Sequence, residues 1–112
     1  MQTSTREVDD VIIVDLSGRL TLGEGNVTLQ NAIRDLTLKG NRKILLNLAD
    51  INYIDSSGIG TLVTSYTTIR NRGGELKLVN LSKRAHDLLH IAKLHTLFDI
   101  KDDEDAAVKS FR

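Results

Sequence analysis

The sequence contains no cysteine, proline or tryptophan, and its formal net charge at pH 7 is zero. Without cysteine there is no disulfide framework and no thiolate that could bind a metal ion or act as a nucleophile. Aromatic residues make up only 4% of the 112 residues. Domains that bind nucleic acid usually carry a basic excess and often stack bases on aromatic rings, so we expect no direct nucleic-acid contact.

Long apolar segments are also missing from the sequence. No run approaches the roughly 18 consecutive apolar residues that mark a membrane-spanning helix. Residues 1–10 are mostly polar and lack the apolar stretch of a secretory signal peptide. We therefore expect a cytoplasmic protein with no membrane partner. The length predicts one domain over residues 1–112, and we expect this domain to be monomeric when free.

Apolar runs of strand length alternate with segments in which apolar residues recur every three or four positions. Strands are predicted at residues 3–8, 11–16, 44–48, 75–79 and 97–100, and a short strand at residues 20–22 is an open alternative. A turn at residues 49 and 50 is predicted to lead into residues 51–55. Helices are predicted over residues 24–38, from the Ser-Ser-Gly segment to residue 71, after Ser82, and after Asp102 or Asp103. The order β-β-(β)-α-β-α-β-α-β-α predicts an α/β fold with a mixed sheet of four or five strands and about four helices.

The segment Asp55-Ser56-Ser57-Gly58 lies where a predicted strand meets a predicted helix. Side-chain oxygens at such a position accept hydrogen bonds from the free N–H groups of the first helical turn. The same N–H groups, together with the helix dipole, can hold a phosphate. The local sequence leaves both interpretations open. Either Asp55 or Ser56 caps the helix and Gly58 gives room for packing, or Ser56 carries a phosphate and Gly58 lets a partner approach closely.

Residues 47–60, Asn-Leu-Ala-Asp-Ile-Asn-Tyr-Ile-Asp-Ser-Ser-Gly-Ile-Gly, resemble the signature of the STAS domain. More narrowly, they resemble the bacterial anti-sigma-factor antagonists. Residues 17–20 are similar to the early Gly-x-Leu turn of that family, and Gly73-Gly74 is similar to the turn before its next strand. The resemblance, including the order of elements, covers nearly the whole chain.

The resemblance implies a regulatory binding module that is not an enzyme, has no catalytic residues and needs no cofactor. Such an antagonist binds an anti-sigma factor, a GHKL-type serine kinase, and thereby frees a sigma factor for transcription. The kinase phosphorylates the serine that follows the aspartate, binding is lost, and a PP2C-type phosphatase restores it. By this resemblance Ser56 is the phosphoacceptor, and the partner-binding residues are Asp55, Ser56, Ser57, Gly58, Ile59 and Thr21. This chain has Thr21 where well-known antagonists often carry an acidic residue that helps in docking the kinase, and this departure bears on the choice of partner.

The residues support other functions less well than they support an antagonist. A STAS subunit of an ABC-type phospholipid transport system or of a stressosome-like scaffold would use the same helix surface without obligatory phosphorylation. A small hydrolase is disfavoured because the Gly-x-Ser-x-Gly elbow is absent. His86 and His90 are four residues apart but have no evident third ligand, so we predict a surface position and no metal site. Tyr53 and Tyr66 are predicted to pack in the core or against a helix and not to stack on nucleotide bases.

Overall fold

The structure, a computed structural model, describes residues 1–111 and contains five strands and four helices over that range. The strands are Gln2–Val8 (β1), Val11–Leu20 (β2), Lys43–Ile54 (β3), Glu75–Val79 (β4) and Asp99–Lys101 (β5). The helices are Glu24–Leu38 (α1), Ser56–Asn71 (α2), Lys83–Ile91 (α3) and Glu104–Lys109 (α4). None of these helices is long and apolar enough to cross a membrane.

The strands form one mixed sheet in the order β1-β2-β3-β4-β5. The first strand pairs antiparallel with β2, and the remaining neighbours are parallel. Parallel neighbours need a crossover connection, which α1, α2 and α3 supply. The predicted α/β fold with a mixed sheet and four helices is confirmed. Because β2 and β3 are parallel neighbours, Thr21 and Asp55, which follow them, lie at the same edge of the sheet.

The sheet is covered on both faces because alternate strand residues point to opposite sides. The larger hydrophobic cluster includes Val14, Leu46 and Leu78 from the strands and apolar residues of α1, α2 and α3, among them Leu29, Ile33, Leu62 and Leu89. The smaller cluster joins Val11, Ile13, Leu45 and Val79 to Ala107, Val108 and Phe111 in and after α4. Each fully buried Leu or Ile contributes about 1.5–3 kcal/mol, so this packing holds the helices against the two faces of the sheet.

One buried cation ties α4 to the sheet. Lys77 on β4 is only 8% exposed, and its ammonium donates to the backbone oxygen and the hydroxyl of Ser110, at 2.8 and 2.9 Å. The same ammonium pairs with a carboxylate oxygen of Asp99 on β5 at 2.9 Å. Its nitrogen lies 4.9 Å from the ring centre of Phe111. These contacts hold the end of α4 against the strands β4 and β5.

The predicted turn at Ala49 and Asp50 is wrong, because β3 continues through both residues to Ile54. The pairing of β2 with β3 shifts register twice, and at each shift β3 contains one residue more than β2: Asp15 pairs with Asn47 but Ser17 with Asp50, and Gly18 pairs with Ile51 but Arg19 with Tyr53. Such bulges bend a strand without ending it. Ala49 and Asp50, which indicated a turn, therefore lie at the first of these bulges.

Two further boundaries differ from the prediction. Residues 20–22 do not form a separate strand, because β2 itself runs to Leu20 and a turn follows. The last strand begins at Asp99, two residues later than predicted, because Leu97 and Phe98 pack against the larger cluster instead of pairing with β4.

Candidate functional site

Asp55 is the residue that caps α2. Its backbone is extended, with φ −119° and ψ −175°, and its carboxylate accepts a 2.9 Å hydrogen bond from the N–H of Gly58. The same carboxylate oxygen accepts a 2.6 Å hydrogen bond from the hydroxyl of Ser57. The Ser57 hydroxyl, and then the Gly58 N–H, hold the pKa of Asp55 below its usual range. The carboxylate is therefore ionised at neutral pH beside the start of the helix.

The two serines at the start of α2 differ in exposure and in bonding. Ser57 is half-buried, donates to Asp55 and accepts a 3.3 Å hydrogen bond from the side-chain amide of Asn26. Ser56 is exposed, and its hydroxyl forms no hydrogen bond with any other residue of the described range 1–111. Of the two hydroxyls, that of Ser56 is thus the one that an enzyme could reach without breaking existing bonds.

Asn26 links Thr21 to this site. The backbone N–H of Asn26 donates to the carbonyl of Thr21 at 3.2 Å, and its side chain donates to Ser57. The structure therefore brings Thr21, Ser57 and Asp55 into one hydrogen-bonded chain that joins α1 to α2. The carbonyl oxygen of the Asn26 side chain is buried and has no hydrogen-bond partner within the described residues. Sequence reasoning missed Asn26, because its side-chain partner Ser57 lies 31 residues further along the chain.

Gly58 is buried and packs closely against neighbouring strands, as the packing interpretation of its role predicts. A Cβ at this position would overlap the backbone oxygen of Leu20 and come within 2.9 Å of the Ile54 side chain. Glycine is needed here for α2 to pack against the end of β2. Ile59 is also buried, with 3% exposure, and its side chain belongs to the larger hydrophobic cluster.

Tyr53 lies at the surface between two arginines and not in the core, one of the two predicted positions. The residue is 38% exposed. Its ring centre lies 4.7 Å from the guanidinium carbon of Arg19 and 5.2 Å from that of Arg84 on α3. Arg84 also donates from Nε to the backbone oxygen of Ile54 at 3.1 Å. Tyr66, in contrast, packs its ring edge-to-face on Phe98 with centroids 5.5 Å apart, as the prediction of a packing role requires.

A groove of about 210 Å³ lies between α2 and α3, beside Ser56. Apart from Ser56 its lining is apolar or glycine: Ile59, Gly60, Leu88, Ile91, Ala92 and Leu94. Ile91 is 78% exposed, although it is one of the large aliphatic residues of α3. The exposed serine is therefore adjacent to an apolar concave surface.

A sequence model of the STAS domain matches residues 2–107. The chain belongs to the STAS domain family. It is 28% identical over 109 residues to an anti-sigma-B factor antagonist from Bacillus subtilis, with 97% of this chain and 98% of that protein covered. The fold matches the crystal structure of a candidate anti-sigma factor antagonist from Thermotoga maritima with a TM-score of 0.89, at 26% identity and with 98% and 94% of the two chains covered. It also matches the phosphorylated form of SpoIIAA, a cell fate determinant of Bacillus, with a TM-score of 0.73, at 18% identity and with 96% and 98% covered.

A cavity larger than the groove lies away from the site just described. It has a volume of about 390 Å³, lies between α1 and α2, and is lined mostly by polar side chains such as Gln30, Asn31, Thr64 and Thr68. None of the residues predicted to bind a partner lines it. The groove beside Ser56 is smaller, but it combines the exposed hydroxyl with an apolar lining.

The histidines of this STAS domain lie along and after α3. His86 is half-buried and His90 is exposed on that helix, and the ring of His90 stacks on that of His95 with centroids 3.9 Å apart. Within residues 1–111, no group of three or more His, Cys, Asp or Glu side chains is arranged to hold a metal ion.

Proposed function

We propose that this STAS domain is an anti-sigma-factor antagonist whose binding is switched by phosphorylation of Ser56. The observation that carries the proposal is the division of roles at the start of α2. Asp55 caps the helix and Ser57 is bonded to Asp55, so the exposed hydroxyl of Ser56 is free to accept a phosphate. The names of the relatives support the antagonist role. The chain would be a substrate of other enzymes, a GHKL-type anti-sigma factor kinase and a PP2C-type phosphatase, and not itself an enzyme.

The position of Ser56 suits a switch that leaves the fold intact. A phosphoserine brings about −1.5 to −2 charges at pH 7. At the first residue of a helix the dipole and free N–H groups stabilise such an anion by up to about 2 kcal/mol. The ionised Asp55 next to it opposes this stabilisation through repulsion. Because the two effects are small and opposite in sign, the phosphorylated domain should stay folded.

The same phosphate would disrupt an interface formed over Ser56. An unpaired charge buried at an interface costs several kcal/mol. A loss of about 3 kcal/mol corresponds to more than a hundredfold in affinity. Phosphorylation should therefore release the anti-sigma factor, which then captures its sigma factor. Since the sigma factor acts on RNA polymerase, the proposed switch operates in the cytoplasm.

The phosphoacceptor can be identified by labelling. The chain is incubated with ATP and each purified GHKL-type anti-sigma factor kinase encoded in the source genome, and the phosphate is mapped by peptide mass spectrometry. We expect the parent and Ser57→Ala to be fully labelled, and Ser56→Ala to remain unlabelled. Phosphate on Ser56→Ala, or mapping to another residue of the parent, would contradict the proposal. Copurification with a transporter ATPase and no labelling by any kinase would favour the transport-system alternative.

The binding switch needs a separate measurement. We expect Ser56→Asp to bind the labelling kinase more than about a hundredfold more weakly than the parent by calorimetry, as a buried unpaired charge predicts. Its melting temperature should remain within a few degrees of the parent value. Ser56→Ala removes only the hydroxyl oxygen and adds no charge, so this variant should still bind the kinase. Unfolding of Ser56→Asp would show that Ser56 has a structural role.

A further inference from the structure

Two arginines beside the phosphoacceptor segment have no anionic partner. Arg19 and Arg84 flank Tyr53, and neither forms an ion pair with a carboxylate of residues 1–111. Arg84 uses only its Nε, on Ile54, so both terminal nitrogens remain available. Arg6, by comparison, is bonded to the carboxylates of Asp15 and Glu104. Guanidinium groups of this kind bind carboxylates in a two-pronged geometry, which makes the pair a recognition site for acidic side chains.

The basic and apolar parts of this surface are continuous along α3. Arg84, Leu88 and Ile91 follow one another at spacings of four and three residues, which places them on one face of the helix. Leu88 and Ile91 line the groove that also contains Ser56. The groove, at about 210 Å³, is smaller than the roughly 300 Å³ at which pockets for drug-sized ligands begin. Its size suits an apolar side chain of a docked polypeptide.

Gly60 is the third element of this surface. It lies within α2, where glycine is less favourable than alanine, and it lines the groove. A Cβ at Gly60 would meet no atom within 4 Å, whereas a Cβ at Gly58 would overlap Leu20. The fold therefore requires glycine at position 58 but not at position 60. The missing side chain at Gly60 keeps the groove open next to Ser56.

Resting on the proposed function, we infer that the kinase partner docks an acidic, apolar segment on the surface formed by Arg19, Arg84, Gly60, Leu88 and Ile91. Carboxylates of the segment bind the two arginines, and an apolar side chain enters the groove over Gly60. A phosphate on Ser56 then repels the same carboxylates and competes with them for the arginines. The acidic character of the segment accounts for the loss of binding on phosphorylation.

The test measures binding of the unphosphorylated full chain to the kinase that labels Ser56, by calorimetry at low and high salt. We expect the double variant Arg19→Gln/Arg84→Gln to bind the kinase at least tenfold more weakly at low salt. Its affinity should also change less with salt concentration than that of the parent. We expect Gly60→Leu to weaken binding at least tenfold without lowering the melting temperature. Matched controls away from this surface are Arg34→Gln and Leu38→Ala, on the exposed side of α1, which should bind like the parent.

The outcomes separate this inference from the proposed function. If the arginine double variant or Gly60→Leu binds as tightly as the parent while Ser56→Asp does not bind, the docking surface is wrong and the phosphorylation switch stands. If no kinase labels Ser56, the proposed function fails, and the surface is tested with a synthetic helical peptide carrying two Glu residues one turn before a Leu. Amide shifts at Gly60 and Ile91 with this peptide, and none with a peptide that has Lys in place of Glu, would support the surface. Equal shifts with both peptides, or shifts elsewhere only, would overturn it.

Discussion

The hydroxyl of Ser57 donates a 2.6 Å hydrogen bond to the carboxylate of Asp55, and this bond separates the roles of two adjacent serines. It anchors Ser57 to the helix cap and, through Asn26, to α1. Both this bond and the bond from the Gly58 N–H end on the same carboxylate oxygen, so the cap is made without Ser56. A sequence that reads Ser-Ser thus contains one structural serine and one exposed serine.

Replacing Asp55 with alanine removes the cap of α2. The loss of an N-cap side chain costs about 1 kcal/mol, so we expect the free energy of unfolding at pH 7 to fall by about that amount. The folded-state pKa of Asp55 lies below the ordinary value of 3.8. Because the group holds its proton less tightly when folded, its stabilisation is complete above the unfolded pKa and is lost as the pH falls through the folded pKa.

The measurement is urea unfolding of the parent and of Asp55→Ala between pH 7 and pH 2. The difference in free energy of unfolding between the parent and Asp55→Ala should be constant down to about pH 4. It should shrink below that pH, since an Asp in the unfolded chain titrates near 3.9. Asp55→Asn, which keeps the capping geometry, should lose less than Asp55→Ala at pH 7. If this difference in free energy grew on acidification, the assignment of Asp55 as the cap would be contradicted.

The two glycines of α2 should respond in opposite ways to alanine. In Gly58→Ala the new methyl overlaps the Leu20 carbonyl, and overpacking of this kind costs about 1–3 kcal/mol. In Gly60→Ala the methyl meets only open space, and the gain in helix propensity stabilises the fold by about 0.5–1 kcal/mol. Thermal unfolding of the two variants, measured side by side, shows whether each one is less or more stable than the parent. Equal changes in stability would refute the difference in packing.

Replacing Lys77 with methionine keeps most of the buried stem and removes the ammonium. We expect the free energy of unfolding to fall by about 2 kcal/mol, because hydrogen bonds to a charged group contribute about 1.5–3 kcal/mol. The pKa of Asp99 is held below its usual range first by the hydrogen bond from Lys77 and less by Lys101. It should therefore rise toward the ordinary value in the variant, as carboxyl carbon NMR can measure.

The control for this prediction is Lys83→Met. The ion pair of Lys83 with Asp87 joins exposed side chains one helical turn apart, so its loss should change the free energy of unfolding by less than about 0.5 kcal/mol. An unchanged pKa of Asp99 in Lys77→Met would show that the ammonium does not set its titration.

The helices were predictable because their signal is local. The spacing of Leu29, Ile33 and Leu36 predicted α1 over residues 24–38, the bounds that the structure has. The bulges of β3 were not predictable, because they depend on the register with β2 and not on the residues themselves. Asp50 is a common turn residue, and only pairing with Ser17 makes it part of a strand.

At the site, the local sequence could not decide what each glycine of α2 does. Gly58 and Gly60 are equivalent by local sequence, and they differ only because Leu20 from another strand approaches one of them. Tyr53 was expected in the core or against a helix. It is partly exposed because it follows the second bulge, between arginines contributed by β2 and α3.

The face of the sheet that α4 covers affects how this chain can evolve. Its apolar cluster, with Val11, Val79 and Val108, is covered by α4 and contributes nothing to the lining of the groove beside Ser56. Small losses of stability alter the abundance of a protein in the cell several-fold. Substitutions on that face can therefore set how much of the regulator a cell maintains, while selection on α2 and α3 acts separately on the partner it recognises.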